Sequence, residues 1–281
     1  MVRSKRQRNA VASPVESLLA LLGGSRVFDL AQPYFAGMPH FPTHPPFLYG
    51  MTKKHGDFVT PGGVSSAADA IALGCHVGTH VDALCHFSCG GKLHGGLAAK
   101  PLQSDTQGLG KYSIDTIAPF LRRGVMLDLA ALLGKRALPT DFVVTPQHLE
   151  QAAKAQKVSV SKGDIVVLRT GWATYWNEVT RFITGGRGVA AAGPGPGLPG
   201  ARWLSERGVV AAGSDTVAFE HLPSPEMPVH VHLLVESGIH IIEMLNLEEL
   251  SRKRVYEFVF IAAPLKIIGG TGSPIRPLAL A

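Results

Sequence analysis

"CHVGTHVDALCHF", residues 75–87, sets three histidines and an aspartate within eleven positions. His76, His80, Asp82 and His86 all stand at even positions, so the fold turns on which backbone could gather them. An extended strand would put all four on one face. Residues 76 and 82 would then lie roughly 20 Å apart at about 3.3 Å per residue. Bonds of about 2.0–2.2 Å to one ion cannot bridge that span. In an α-helix His76 and His80 share a face, but Asp82 points away from them. The chain must therefore curl inside the motif. Gly78 permits it, since glycine tolerates positive φ and close approach, and Thr79 can brace the turn through its hydroxyl. The reading is the end of a strand folding into a turn, with two imidazoles and a carboxylate converging. That set suits Zn²⁺, Mn²⁺ or Fe²⁺ with coordination positions left open. Each histidine taken singly is as well explained by packing or solvent; their density is what favours a metal site.

Around the motif, 281 residues of which 46% are apolar suffice for a sizeable core. The net charge of +6 is concentrated at the start of the chain, where Arg3, Lys5, Arg6 and Arg8 fall within eight residues. The basic character thus belongs to a tail expected to be disordered, and no nucleic-acid face is implied. No apolar run reaches the roughly 18 residues of a membrane span, and Pro14 and Glu16 argue against a secretory signal. Residues 15–22 read as a short amphipathic helix. Three cysteines, Cys75, Cys85 and Cys89, are too few and odd in number for a disulfide framework and suit a reducing cytoplasm.

Short apolar runs alternate with helical patterns. "ADAIALG", "GVMLDLAAL", "GDIVVLRTGW", "GVVAAGSD", "GIHIIEML" and "YEFVFIAAPLKIIGG" read as strands, several apolar on both faces and so suited to a covered sheet. "PHFPTHPPF" (39–47) is an extended loop, because its prolines forbid regular pairing. "TPQHLEQAAKAQ" (145–156) has an N-cap threonine and proline at the first helical position. "GARWLSERG" (200–208) and "NLEELSR" (246–252) read as shorter helices, and "TGGRGVAAAGPGPGLPG" (184–200) as a mobile loop without core contacts, a possible lid. The class is α/β: one domain, residues 25–281, with a mixed central sheet and flanking helices, preceded by tail and short helix over 1–24.

The residues also carry a resemblance. "HVGTHVDALCHF" resembles the H-x-G-T-H-x-D-x-P-x-H-F signature of the cyclase-like metal-dependent hydrolases, a family that includes bacterial kynurenine formamidase and isatin hydrolase. The likeness extends over about residues 27–279, through "FDLAQPYFAGMPHFP", "PGLPGARWLSERGVVAAGSDT" and "MPVHVHLLVESGIHIIEMLNLEEL". One departure is Leu84, where the family has proline. The resemblance implies a swivelling β/β/α-type fold. It implies His76, His80 and Asp82 as metal ligands and His86 as proton shuttle. His230 and Glu243 would complete a site for one or two divalent ions, zinc or manganese, with His232 a rival to His230. It further implies cleavage of an amide or lactam C–N bond of a small, aromatic substrate, and a homodimer or larger homo-oligomer. A lactone hydrolase of the dienelactone type and a non-catalytic ligand-binding protein are the alternatives.

Other groups are weighed against plain structural roles. Glu243 stands in an apolar strand, where an unpartnered carboxylate would be costly to bury, so a ligand role is preferred. Asp215 is balanced between a structural and an orienting role. His40 and His44 read as solvated surface side chains, one of them a possible substrate contact. Asp69 and Asp128 read as ordinary end-of-strand carboxylates. Phe41, Phe87, Trp172 and Trp176 read as core before pocket. Cys85 is expected to be a packed thiol. No nucleophile elbow, P-loop or dinucleotide-binding glycine motif is present.

Overall fold

The computed structural model describes residues 13–281; the basic tail lies outside the described residues. Nine strands make one mixed sheet: β1 (Val27–Asp29), β2 (His80–Asp82), β3 (Phe120–Asp128), β4 (Ile165–Arg169), β5 (Ala211–Ser214), β6 (His240–Glu243), β7 (Glu257–Ala262), β8 (Gly272–Pro274) and β9 (Leu278–Leu280). Their spatial order is β1-β9-β7-β3-β4-β5-β6-β2-β8. The four central strands, β3 to β6, run parallel, and antiparallel strands extend the sheet on both sides.

Alternation along the parallel strands feeds two cores. Val125, Leu127, Val166, Leu168, Ala212 and Ile241 face helices that contribute Leu149, Ala152, Leu204 and Leu233. Met126, Ile165, Val167, Ala211 and Ile242 face Phe28, Phe258, Phe260, Leu247 and Leu250. Strands covered on both faces need apolar residues at every position, which is why these runs lack a polar stripe.

The helix Pro146–Gln156 begins as its sequence indicates: Thr145 and His148 form a reciprocal cap and Pro146 opens the first turn. Ser13 and Glu16 cap Pro14–Leu22 in the same way. Two helices differ from their sequence reading. One spans Leu198–Glu206, two residues earlier than expected, because Pro199 is a good first-turn residue. The other spans Glu248–Lys253, with Asn246 Oδ1 accepting from the Glu248 amide.

Two further expectations fail. The segment 184–200 is not a free loop throughout: Gly195–Pro196 pairs in parallel with Val143–Val144, and Ala192 to Pro196 are buried. Glycine and proline pack closely there where larger residues could not; a Cβ on Gly195 would lie 2.4 Å from the Glu220 carbonyl carbon. "ADAIALG" is not a core strand either. Ala68–Ala72 pairs with Leu48–Lys53 in a hairpin whose second strand is exposed along its whole length. An all-apolar pattern reports a preference for burial, not which surface supplies it.

Candidate metal centre

The curl in the opening motif is real, but its direction is reversed. The chain turns first, through His76 to Thr79, and then enters β2, where His80 and Asp82 stand two residues apart on one face. Gly78 has φ +62°, and a Cβ there would lie 2.3 Å from the Tyr34 ring. The Tyr34 hydroxyl donates to the Val77 carbonyl at 2.8 Å, so the ring braces the turn from the space the glycine leaves. Thr79 donates to the Met244 carbonyl at 2.6 Å and accepts from the Gln32 amide at 2.9 Å, tying the turn to the end of β6. A turn at Ala83–His86 then carries His86 back, closed by its amide on the Ala83 carbonyl at 2.9 Å with Leu84 in place of the family's proline.

Register does the rest. In the antiparallel β2–β6 pair, His80 is directly opposite Glu243. His230 comes from Pro228–His230, one turn of helix that continues as a π-helical turn over Val231–Ser237. Two groups result that could hold an ion, His76–His80–Asp82 and Asp82–His230–Glu243, each with ligand atoms within 4.8 Å of one another and every member buried. Asp82 belongs to both. All five side chains expected to ligate are therefore brought together. His232 is not among them. On a helix two residues rotate by about 200°, and His232 instead pairs with Glu236 at 2.7 Å and Ser205 at 2.8 Å.

Second partners orient the imidazoles. Nδ1 of His80 donates to the Gly78 carbonyl at 2.8 Å, leaving Nε2 toward Asp82 (3.5 Å) and Glu243 (3.4 Å). Nδ1 of His230 donates to Glu220 Oε2 at 2.8 Å, leaving Nε2 toward Glu243 at 3.2 Å. His76 lies between Asp82 (2.7 Å) and the Thr271 hydroxyl (2.9 Å). Such outer contacts fix which nitrogen carries the lone pair.

The electrostatics without an ion show what the site favours. Burial opposes a charge on His80, but hydrogen bonds to Asp82 and Glu243 outweigh it and raise its pKa to about 10. For His230 burial is likewise overcome by Glu220 and Glu243, again to about 10. Glu243, despite burial, is held down to about 2 by His230 and His80. Burial opposes charge on Asp82 too, yet the surrounding imidazoles, with hydrogen bonds from His76 and His80, hold its carboxyl well below the usual range. Buried carboxylates are thus kept ionised by positive charge at the positions where a divalent cation would supply it.

His86 differs. It stacks on His76 with ring centroids 3.8 Å apart, and burial brings its pKa down to about 3 against the pull of Asp82. It is a neutral imidazole beside the ligands. Phe87 and His44, assigned first to core and to surface, also reach the site. Phe87 packs 4.8 Å from the His230 ring. His44 lies 5.1 Å from His76 and 5.9 Å from His86, because the proline loop folds back over the motif. Among the others, Trp172 and Trp176 are core, donating to the carbonyls of Phe182 and Pro33. Asp215 accepts from the Thr170 amide and hydroxyl and the Gly171 amide, a structural brace. Asp128 is buried against Arg169 at 2.9 Å. Asp69 accepts from the Tyr49 hydroxyl on the exposed hairpin, and His40 bonds the Phe41 carbonyl. Cys85 is a packed thiol whose pKa burial pushes up to about 12.

Glu220, Thr271 and Gly272 escaped the sequence reading. Glu220 was legible by the argument applied to Glu243, a lone carboxylate after the apolar run "VAF". Nothing in "GGTGSP" marks Gly272, whose Cβ would lie 2.5 Å from Cε1 of His76.

The model of the family described as "Putative cyclase" matches residues 28–221. The chain belongs to the cyclase family. Among its relatives, isatin hydrolase of Roseibium aggregatum is 29% identical over 214 residues, 75% of this chain and 73% of that one. Kynurenine formamidase of Bacillus mycoides is 27% identical, covering 90% of this chain and 96% of the relative. Two solved structures are similar. A novel cyclase superposes with TM-score 0.83 at 29% identity over 96% of this chain and 92% of the other. Isatin hydrolase A from Ralstonia solanacearum superposes with TM-score 0.75 at 27% identity over 98% and 100%. Among the described residues no helix is long and apolar enough to cross a membrane.

Proposed function

We propose that this cyclase-family chain is a metal-dependent hydrolase that cleaves an amide or lactam C–N bond of a small, aromatic carbonyl compound. The observation that carries this reading is a buried His86 stacked on His76 with ring centroids 3.8 Å apart, at the edge of two ligand groups that share Asp82. The donor set of three imidazoles and two carboxylates suits one or two ions of zinc or manganese. His76, His80 and Asp82 would hold the first, and Asp82, His230 and Glu243 a second. A divalent cation held there supplies Lewis acidity, which makes water a nucleophile near neutral pH and polarises a carbonyl.

The chain's own groups supply the rest. His86 accepts the proton of the attacking water and returns it to the leaving nitrogen, so the C–N bond breaks without expelling an amide anion. Its neutrality leaves the receiving lone pair available throughout the physiological range. Phe87 gives an apolar wall beside His230, and His44 is placed to contact a substrate oxygen. The names of the relatives, isatin hydrolase and kynurenine formamidase, support a lactam or an aryl formamide over other carbonyl compounds. A cytoplasmic location agrees with three free cysteines.

The test is to strip the protein with chelator, restore it with Zn²⁺ or Mn²⁺, and follow N-formylkynurenine, isatin and a dienelactone by absorbance. Metal-restored turnover of the nitrogen substrates is expected. Turnover of the lactone alone would reassign the bond cleaved, and no turnover on the panel would reduce the chain to a binding protein.

A further inference from the structure

At the N-terminal ends of β3 and β6 the fold leaves a cavity of about 310 Å³, lined among others by Leu84, Tyr112, Ile117, Phe120, Arg122 and His240. Its size is at the lower end of the range for small-molecule pockets, roughly 300–1,000 Å³, and suits a single ring. None of the five candidate ligands lines it, nor does His86, His44 or Phe87. Its walls are mostly apolar, with two polar groups that the rest of the fold does not use up.

The first is Arg122. Its neighbour Arg123 points the other way along β3 and is paired with Asp164 at 3.1 Å and Glu257 at 2.7 Å. Arg122 meets no carboxylate within 4.0 Å among the described residues. It offers a fork of donors at the mouth of an apolar cavity, the geometry that takes a carboxylate through two bonds. The second is His240. Its Nδ1 lies 3.0 Å from the Asp82 carbonyl, which can only accept, so Nδ1 carries the proton. In the neutral ring Nε2 is then an acceptor, and no donor reaches it among the described residues. Phe120 stands edge-to-face with this imidazole at 6.1 Å, which gives an aromatic ring a matching wall.

We propose that this cavity is a second binding site, for a single-ring aromatic molecule of the aminobenzoate class that carries both a carboxylate and an N–H donor. The carboxylate meets Arg122, the amine donates to Nε2 of His240, and the ring lies among Leu84, Ile117 and Phe120. Two features mark the cavity as particular to this chain. Leu84, which forms part of its wall, is the residue that stands where the resembled signature has proline. Tyr112, on another wall, has φ +59°, a conformation uncommon for a bulky residue, and its carbonyl takes the Cys85 amide at 3.3 Å. Cleaving an aromatic lactam releases an aryl amine that also carries a carboxylate. That link rests on the hydrolase reading; the binding itself does not.

Equilibrium dialysis of the full, metal-free chain against the three aminobenzoate isomers, each followed by its ultraviolet absorbance, tests the site. At least one isomer is expected to bind once per chain. Benzoate and aniline should each bind about tenfold more weakly, since each leaves one polar group unmatched. Arg122→Gln should weaken the best isomer by about tenfold, and Ala118→Trp, which fills the cavity from its rim, by at least as much. Both altered side chains are exposed, so circular dichroism should be unchanged. Loading with Zn²⁺ should leave the affinity as it was. No binding of any isomer at millimolar concentration overturns the proposal. So does benzoate matching the best isomer, an affinity that both variants leave intact, or displacement by Zn²⁺, which would put the molecule in the metal centre. No turnover is read, so the result stands apart from the hydrolase reading.

Discussion

Glu220 accepts a hydrogen bond from Nδ1 of His230 at 2.8 Å, with both side chains almost wholly buried. Glu220 also takes the Val229 amide at 3.1 Å and the Ser224 hydroxyl at 3.0 Å, so it is itself held in place. Through this contact Nε2 of His230 faces Glu243 and the shared carboxylate of Asp82. Glu220→Gln keeps shape but removes the charge that orients and strengthens His230. Metal affinity at the His230 end is expected to fall by about 10- to 100-fold. Competition against a coloured chelator measures it; an unchanged affinity would make Glu220 a brace for its own loop only.

Gly272 lies opposite Asp82 in the β2–β8 pair and leaves the space that the His76 ring occupies. Gly272→Ala forces that ring off Asp82 or bends β8, a local overpacking worth about 1–3 kcal/mol. The expected result is a protein that still folds but has lost metal at the His76 end. Metal content by elemental analysis, alongside urea unfolding, separates the two effects. Full metal occupancy in the variant would show that His76 is not needed for binding.

His86 is assigned to proton transfer and not to ligation. His86→Ala should retain metal content while kcat falls by about 10²-fold or more. Loss of metal along with activity would move His86 into the ligand set.

Without an ion, His80 and His230 hold protons up to about pH 10, whereas His86 stays neutral down to about pH 3. The signs follow. The raised pair contributes stability that is complete below the ordinary imidazole value near 6.5 and is lost as pH rises towards 10. The depressed group acts in the other direction, and its stability is lost as pH falls from 6.5 towards 3. The metal-free protein should therefore unfold most reluctantly near pH 6–7, and added metal should restore stability chiefly on the alkaline side. Metal binding at pH 8 must also displace protons from His80 and His230. Calorimetry in two buffers of different ionisation enthalpy counts them, with release approaching two. Binding with no proton release would contradict the proposed ligands.

Part of the site could be read along the chain because its chemistry is local. Three histidines and an aspartate within eleven residues admit few backbone paths that gather them, and Gly78 among them permits the turn that brings His76 back towards Asp82. The covered parallel strands were legible for a similar reason, since residues apolar on both faces need cover on both. The helix at 146–156 announced itself through its cap. Failures came where the signal was a preference without an address. "ADAIALG" asked for burial and received none within the chain, and "GPGPG" looked unable to pack until Val143–Val144 and Glu220 closed around it.

The residue types of the centre, and the turn that brings His76 near Asp82, were set by the sequence itself, because they depend on neighbours within one short segment. The meeting of that segment with Glu243, His230 and Glu220 was decided only in three dimensions. It follows from strand register and helix placement across more than 130 residues of chain, where one residue of slip would turn Glu243 to the opposite face. Helical rotation, which sends His232 to Ser205 and His230 to the centre, is equally a fact of tertiary structure.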